Sequence, residues 1–189
     1  MARKPRTIRS CTTRGFKIRT TSVGEKLFRA NTNLFRDYDK LQPPVKVKAP
    51  WHKVSLHNPH VLTLANGRKV VVKEVEKGEE HKAALNQMIE LIQARRRGIP
   101  TVRPLAAIED RRTGKHYFVT EYLPFPAVDT LAQEFFSRNQ VDLSNQLTEK
   151  FQEFKRRKGI LEQDASDVIV RYNPKTGKFS FYVVELSHG

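Results

Sequence analysis

VVVKEV at Val70–Val75, RRRGIP at Arg95–Pro100 and HYFVTEYLP at His116–Pro124 decide how this chain folds. The short apolar runs Val70–Val72 and Tyr117–Val119 read as buried strands. Between them, Glu79–Arg97 carries Leu85, Met88, Ile89 and Ile92 at helical spacing. Its acids Glu79 and Glu80 and its bases Arg95–Arg97 sit at the ends where each sign complements the helix dipole. Gly98 is a natural stop, and Pro100 prevents continuation. Lys73 directly follows the first apolar run, which places a flexible cation at the edge of an apolar core.

Working outward, Ala65-Asn66-Gly67-Arg68 is a hairpin turn, because Asn-Gly tolerates the positive φ values of a type I′ turn. His60–Leu64 and Arg68–Val75 should therefore pair antiparallel. Downstream, Val102–Ile108 and His116–Thr120 read as strands around a turn at Asp110–Lys115. Beyond Pro124-Phe125-Pro126, helices are expected over Val128–Arg138 and Leu143–Lys158, the second ended by Gly159. Val168–Tyr172 and Phe179–Leu186 should be strands joined by the turn Asn173-Pro174-Lys175-Thr176-Gly177. Upstream, Glu25–Leu41 has near-helical spacing of Leu27, Leu34, Phe35, Tyr38 and Leu41, and Pro43, Pro44 and Pro50 then break regular structure. Phe28, Phe35 and Tyr38 suit packing better than base stacking.

With 38% apolar residues, 11 of them Phe, a chain of 189 residues can build a sizeable core. Cys11 is the single cysteine, so neither an intramolecular disulfide nor a cysteine-based zinc site is possible. His52, His57 and His60 fall close together, but no Asp or Glu lies between Asp39 and Glu74. A strand or loop is the expected use of these histidines rather than a metal site. No apolar run approaches the length of a membrane span, and the N-terminus lacks the apolar core of a secretory signal. A reducing, cytoplasmic setting is the expectation; the Arg-, Ser- and Thr-rich start also fits an organellar presequence.

Charge is unevenly spread. Residues 1–53 hold 14 Lys and Arg against 3 Asp and Glu, a net of +11 out of +15 for the whole chain. Residues 1–24 are read as a basic flexible arm, because they show no helical stripe and few large apolar residues. Arg3, Lys4, Arg6, Arg9, Arg14, Lys17 and Arg19 are its candidate RNA contacts, through phosphate neutralisation and counterion release. The Arg95–Arg97 and Arg111-Arg112 clusters are further candidates. A basic RNA-binding or ribonucleoprotein component is thus one functional class to weigh.

The order of hairpin, strand with Lys73, helix, two strands, linker, helices and final hairpin gives a second class. With VVVK, GIP, FVTEYL and KGILEQDASDVIV…FYVVEL in that order, the chain from about His60 onward resembles the protein-kinase-like superfamily. The resemblance is to its small RIO-type, lipopolysaccharide-kinase and aminoglycoside-phosphotransferase branches. It implies an α+β fold: an antiparallel five-stranded N-lobe with one packed helix, then a reduced helical C-terminal lobe. The corresponding divisions are 1–24 (arm), 25–50 (helix and Pro-rich linker), 51–123 (N-lobe) and 124–189 (C-lobe).

The resemblance further implies ATP and magnesium as ligands. Lys73 matches the strand lysine that contacts nucleotide phosphates, whose negative oxygens call for a fixed cation. Thr120, Glu121, Tyr122 and Leu123 match the segment whose backbone holds adenine. Asp164 matches the catalytic-loop acid, Asp167 the metal-binding Asn of that loop, and Glu185 the metal-binding Asp after the next strand. Oxygen ligands of this kind suit magnesium.

The pattern is also broken in several places, as in a pseudokinase. His57-Asn58-Pro59-His60 stands where a glycine-rich loop would lie, and Gln87 falls near the helix acid that should pair with Lys73. Glu162-Gln163-Asp164 replaces His-Gly-Asp, and the catalytic loop is two residues short. The expectation is a nucleotide- or RNA-binding scaffold with a degraded site; an active Mg-ATP phosphotransferase is the alternative. Plainer roles stand beside each assignment: Lys73 as a strand-end charge, Asp164 and Asp167 as cap or turn residues, and Glu185 as an edge-strand charge.

Overall fold

The structure, a computed structural model, describes residues 8–13, 16–29, 60–64, 67–75 and 83–186. Several expectations lie outside those residues: Arg3, Lys4, Arg6 and Arg14, the helix beyond residue 29, His52 and His57, and Glu79 and Glu80. Two compact units are present. The first holds residues 1–47, 56–89 and 103–122, and the second residues 48–55, 90–102 and 123–189. The described part is α+β.

The first unit is an antiparallel sheet of six strands: β1 Ile8–Thr13, β2 Phe16–Thr21, β3 His60–Thr63, β4 Lys69–Val75, β5 Pro104–Asp110 and β6 Lys115–Glu121. They lie in the order β1-β2-β5-β6-β4-β3. The β3–β4 hairpin pairs His60 with Val72 and Thr63 with Lys69. Leu64 N–H donates to Arg68 O at 2.7 Å, and Gly67 takes φ +76° in the turn, the left-handed value that Asn-Gly was expected to allow.

The N-terminal segment departs from the sequence reading. Ile8–Thr13 and Phe16–Thr21 form a β-hairpin, and Phe16 through Thr20 pair with Asp110 through Ala106 on β5. Phe16, Ile18 and Thr20 are buried while Lys17, Arg19 and Thr21 alternate with them half-buried. A period of two over FKIRTT is a strand signal that a search for a helical stripe passes over. The sheet accordingly has six strands, two of them supplied by the region read as an arm.

Helix α1, Ser22–Arg29, follows β2 directly. Thr21 organises the junction: its hydroxyl donates to Pro104 O at 3.1 Å and accepts from Gly24 N–H at 3.1 Å, capping the first turn. Gly24 is needed for another reason. A Cβ there would stand 2.0 Å from Leu105 O, so only glycine lets α1 lie this close to β5. The core of the unit gathers Phe16, Ile18, Val70, Val72, Leu105, Ile108 and Val119, each buried aliphatic side chain contributing about 1.5–3 kcal/mol.

Helix α2, Ala83–Arg96, gives its first turns to the first unit and its last turns to the second. Its fully buried stripe is Ala84, Met88, Leu91 and Ala94; Leu85, Ile89 and Ile92 are half-buried. Ile99 N–H and Gly98 N–H bond back to Ala94 O and Arg95 O, with Gly98 at φ +76°.

The second unit contains α3 Val128–Ser137, α4 Val141–Lys158, the 3₁₀ turn Ala165–Asp167, and the hairpin β7 Val168–Asn173 with β8 Lys178–Val183. Gly159 closes α4 at φ +66°, as its position after the last basic residues implies. The core packs Val128, Leu131, Phe135, Leu147 and Phe151 with Val168, Val170, Phe181 and Val183. Among the described residues no helix is long and apolar enough to cross a membrane.

Candidate functional site

The segment from Gly159 to Asp167 connects α4 to β7 and is fixed by its own backbone. Ile160 N–H donates to Lys155 O and Gln163 N–H to Ile160 O, each at 3.1 Å, and Lys155 Nζ donates to Gln163 O at 3.1 Å. Gln163 is only 3% exposed. Its side-chain amide donates to Glu185 O at 2.7 Å. Two residues of the loop are thereby joined to the strand end opposite, because Asp167 O also accepts from Val184 N–H at 2.8 Å. Asp164, exposed, stands at the entry to the 3₁₀ turn, and Asp167 and Glu185 are half-buried.

The β7–β8 register, Val168 against Val183, places Asp167 beside Val184 and Glu185 one step further. The structure thus brings the backbones of Asp164, Asp167 and Glu185 together at one end of a hairpin. Among the described residues, however, no three His, Cys, Asp or Glu side chains gather as metal ligands. A magnesium ion here would rest on Asp167 and Glu185, an oxygen donor set that fits it when phosphate and water complete the shell. Beside the loop lies a cavity of about 330 Å³ lined by Glu90, Gln93, Arg97, Glu162, Gln163 and Leu186, with apolar Ile160 and Leu161.

In the first unit Lys73 sits on β4 opposite Phe118, half-buried, between buried Val72 and Val75. Strand position and burial agree with the expected edge-of-core cation. Gln87 occupies a half-buried place on α2. The segment Thr120–Leu123 is mostly engaged in holding its own shape. Thr120 is 5% exposed. Glu121 N–H donates to Arg103 O at 3.0 Å, Arg103 N–H returns a 2.7 Å bond to Glu121 Oε1, and Tyr122 N–H reaches Lys69 O at 3.4 Å. Leu123 O accepts from Phe125 N–H at 2.9 Å.

The basic candidates divide. Lys17 and Arg19 share the alternate face of β2, with Lys17 Nζ 3.6 Å from Glu109; Arg9 lies on β1. Arg112 is tied down. Asp110, 4% exposed, accepts from Arg112 N–H at 3.0 Å, Arg112 Nε at 3.3 Å and the Thr113 hydroxyl at 2.9 Å. Burial pushes the Asp110 carboxyl up, but those bonds and the guanidinium charge outweigh it and hold it below the usual aspartate range. The guanidinium also covers the Phe16 ring at 4.9 Å. Arg112 therefore staples the β5–β6 turn to β2.

Gln163 is the functional-site residue that sequence reading missed. It was noted only as a replacement for glycine, and nothing local in Glu162-Gln163-Asp164 announces burial.

No family model matches the chain, and no curated protein matches it. Among solved structures, it is similar to the kinase domain of maize SIRK1, the sucrose-induced receptor kinase 1, which was crystallised bound to AMP-PNP. That likeness has 16% sequence identity and a TM-score of 0.44, and covers 72% of this chain and 49% of the maize chain. The chain thus spans about half the length of the kinase domain it resembles.

Proposed function

We propose that the chain is a divergent kinase-like domain that binds nucleotide and whose catalytic set is incomplete, so that it acts as a binding scaffold. The observation that carries this reading is the pinned loop of the second unit, where Gln163 and Asp167 hold the end of β8 at 2.7 and 2.8 Å. The buried amide of Gln163 fixes the strand end that carries Glu185. The order of strand with Lys73, helix and two further strands supports the same reading.

In it, Lys73 meets nucleotide phosphates and the Thr120–Leu123 backbone meets the base. Asp167 and Glu185 would hold magnesium, which neutralises phosphate charge when bound. Asp164 would orient an acceptor hydroxyl if the domain turns over. Gln87 stands near the position where the family resemblance implies an acid, and Glu185 is one methylene longer than the expected Asp. Both departures favour binding over turnover.

Thermal unfolding with and without Mg-ATP tests the reading. Ligand at tenfold its dissociation constant stabilises by about 1.4 kcal/mol, a rise of roughly 3–6 °C for a chain of this size. The rise should disappear in Lys73→Ala. An unmoved midpoint for the wild type at millimolar Mg-ATP would refute nucleotide binding, and [γ-³²P]ATP transfer to a general acceptor would refute the scaffold role.

A second reading, RNA binding through the N-terminal cations, draws on the charge excess of residues 1–53 and on Lys17 and Arg19 sharing one strand face. Lys17→Glu with Arg19→Glu should weaken RNA binding and lower its salt dependence. These substitutions keep the hairpin, which removal of the segment would not.

A further inference from the structure

Two basic helix ends lie together in the second unit. α2 and its following residue supply Arg95-Arg96-Arg97, and α4 ends on Lys155-Arg156-Arg157-Lys158. Lys158 Nζ donates to Gly98 O, just beyond α2, at 2.7 Å, which sets the two ends side by side. Cations are expected at helix C-termini, but each terminus offers only about half a negative charge. Seven side chains greatly exceed that. Arg95 and Lys155 bond to the carbonyls of Thr101 and Gln163 at 2.8 and 3.1 Å. Neutral carbonyls hold these groups in place without cancelling their charge.

From this patch a groove of about 530 Å³ runs between α4 and β8. Lys150, Arg157, Lys158 and Lys178 line it against one carboxylate, Glu153. Glu153 takes Lys150 at 2.9 Å and lies 3.9 Å from Arg157, so the lining keeps a net positive charge. Lys150, Phe154, Arg157 and Lys158 recur at helical spacing and share that wall of α4. Half-buried Phe154, Phe179 and Tyr182 line the same groove. Each ring is supported by another, from Phe181 at 5.1 Å, Tyr172 at 4.8 Å and Phe125 at 6.2 Å. Supported rings set among cations match a polymer that alternates phosphates with flat bases. An acidic peptide would engage the cations alone.

We propose that this groove and the adjoining helix ends bind a single-stranded nucleic acid, its phosphates on Arg95–Arg97, Arg157, Lys158 and Lys178 and its bases against the groove rings. The surface shares no residue with the nucleotide reading or with the N-terminal strand.

Fluorescence anisotropy of a labelled oligouridylate on the full chain tests it. Variants are Arg157→Glu with Lys178→Glu, and the milder Arg157→Gln with Lys178→Gln, each checked for an unchanged unfolding midpoint. The charge-reversed pair should weaken binding roughly tenfold or more, and the neutral pair less. The slope of log affinity against log salt should fall by about 1.4 in the neutral pair, two single-strand phosphate contacts' worth. The Mg-ATP thermal shift should be the same in all of them, which keeps this outcome separate from the nucleotide reading. Absence of wild-type binding at low salt, full affinity in both variants, or displacement by polyglutamate as effective as by unlabelled oligonucleotide would each overturn the proposal. So would a loss confined to Lys17→Glu with Arg19→Glu.

Discussion

The side-chain amide of Gln163 donates to the backbone carbonyl of Glu185 at 2.7 Å, across 22 residues of sequence and almost out of contact with solvent. One amide thus sets the spacing between the loop that bears Asp164 and the strand end that bears Glu185. Replacing Gln163 by Leu removes the bond to a half-buried carbonyl and should cost about 0.5–1.5 kcal/mol. Urea unfolding measures the loss, and hydrogen exchange should show Val184 and its neighbours opening more readily. Unchanged protection at Val184 would mean that the bond does not hold this strand end.

Gly24 and Gly177 make a matched pair. At Gly24 an added methyl meets Leu105 O at 2.0 Å, a backbone atom that cannot step aside, whereas at Gly177 it meets nothing within 4 Å and the cost is the φ of +64° alone. Gly24→Ala should therefore cost about 1–3 kcal/mol through overpacking, and Gly177→Ala about 1–2 kcal/mol through left-handed strain. Introducing Asn at Gly177, which tolerates that φ, should recover part of its loss; Asn at Gly24 should recover none. Denaturation midpoints for the four variants decide it.

Asp110 gives the chain an acid-sensitive turn. Its folded carboxyl titrates below the unfolded value, so its contribution is complete above about pH 4 and is lost as pH falls through the lower, folded value. Asp110→Asn should lower the unfolding midpoint at neutral pH and flatten its decline under acid. If wild type and variant declined in parallel below pH 4, the turn would not be the acid-sensitive element.

Removing residues 1–21 should do more than subtract charge. It strips β2 from β5 and uncovers Leu105, Ile108 and Tyr117 of the core. Each large side chain exposed forfeits about 1.5–3 kcal/mol, so the truncated chain should lose its cooperative thermal transition or aggregate. A truncated chain melting near the wild-type midpoint would show that β1 and β2 are dispensable.

Much of the fold was legible where the signal is local. Asn66-Gly67 with flanking alternation fixed the β3–β4 hairpin, and Gly98 and Gly159 marked the ends of α2 and α4 within a residue or two. The N-terminal hairpin was not legible in the same way. Its partner, β5, lies some ninety positions later, and the cations between Phe16, Ile18 and Thr20 disguised a strand as a polyelectrolyte. On α2, apolar size pointed to Leu85, Met88, Ile89 and Ile92; of these Met88 is fully buried, with Ala84, Leu91 and Ala94 completing the stripe. At the candidate site, Asp164, Asp167 and Glu185 came only from the family resemblance, and Gln163 acquires its meaning from a partner 22 residues away. Arg112 shows the reverse case, a cation that reads as a surface contact and proves to be a staple for Asp110.

The pairing of Phe16 with Asp110 also sets a timetable. While the chain is being synthesised, β2 has no β5 to join until about ninety further residues have emerged, so it is seated late. Late, long-range pairing slows folding and leaves an apolar strand uncovered in the meantime. The dense positive charge of the opening segment repels other nascent copies during that interval, so the same lysines and arginines that hid the strand from view also guard it until its partner arrives.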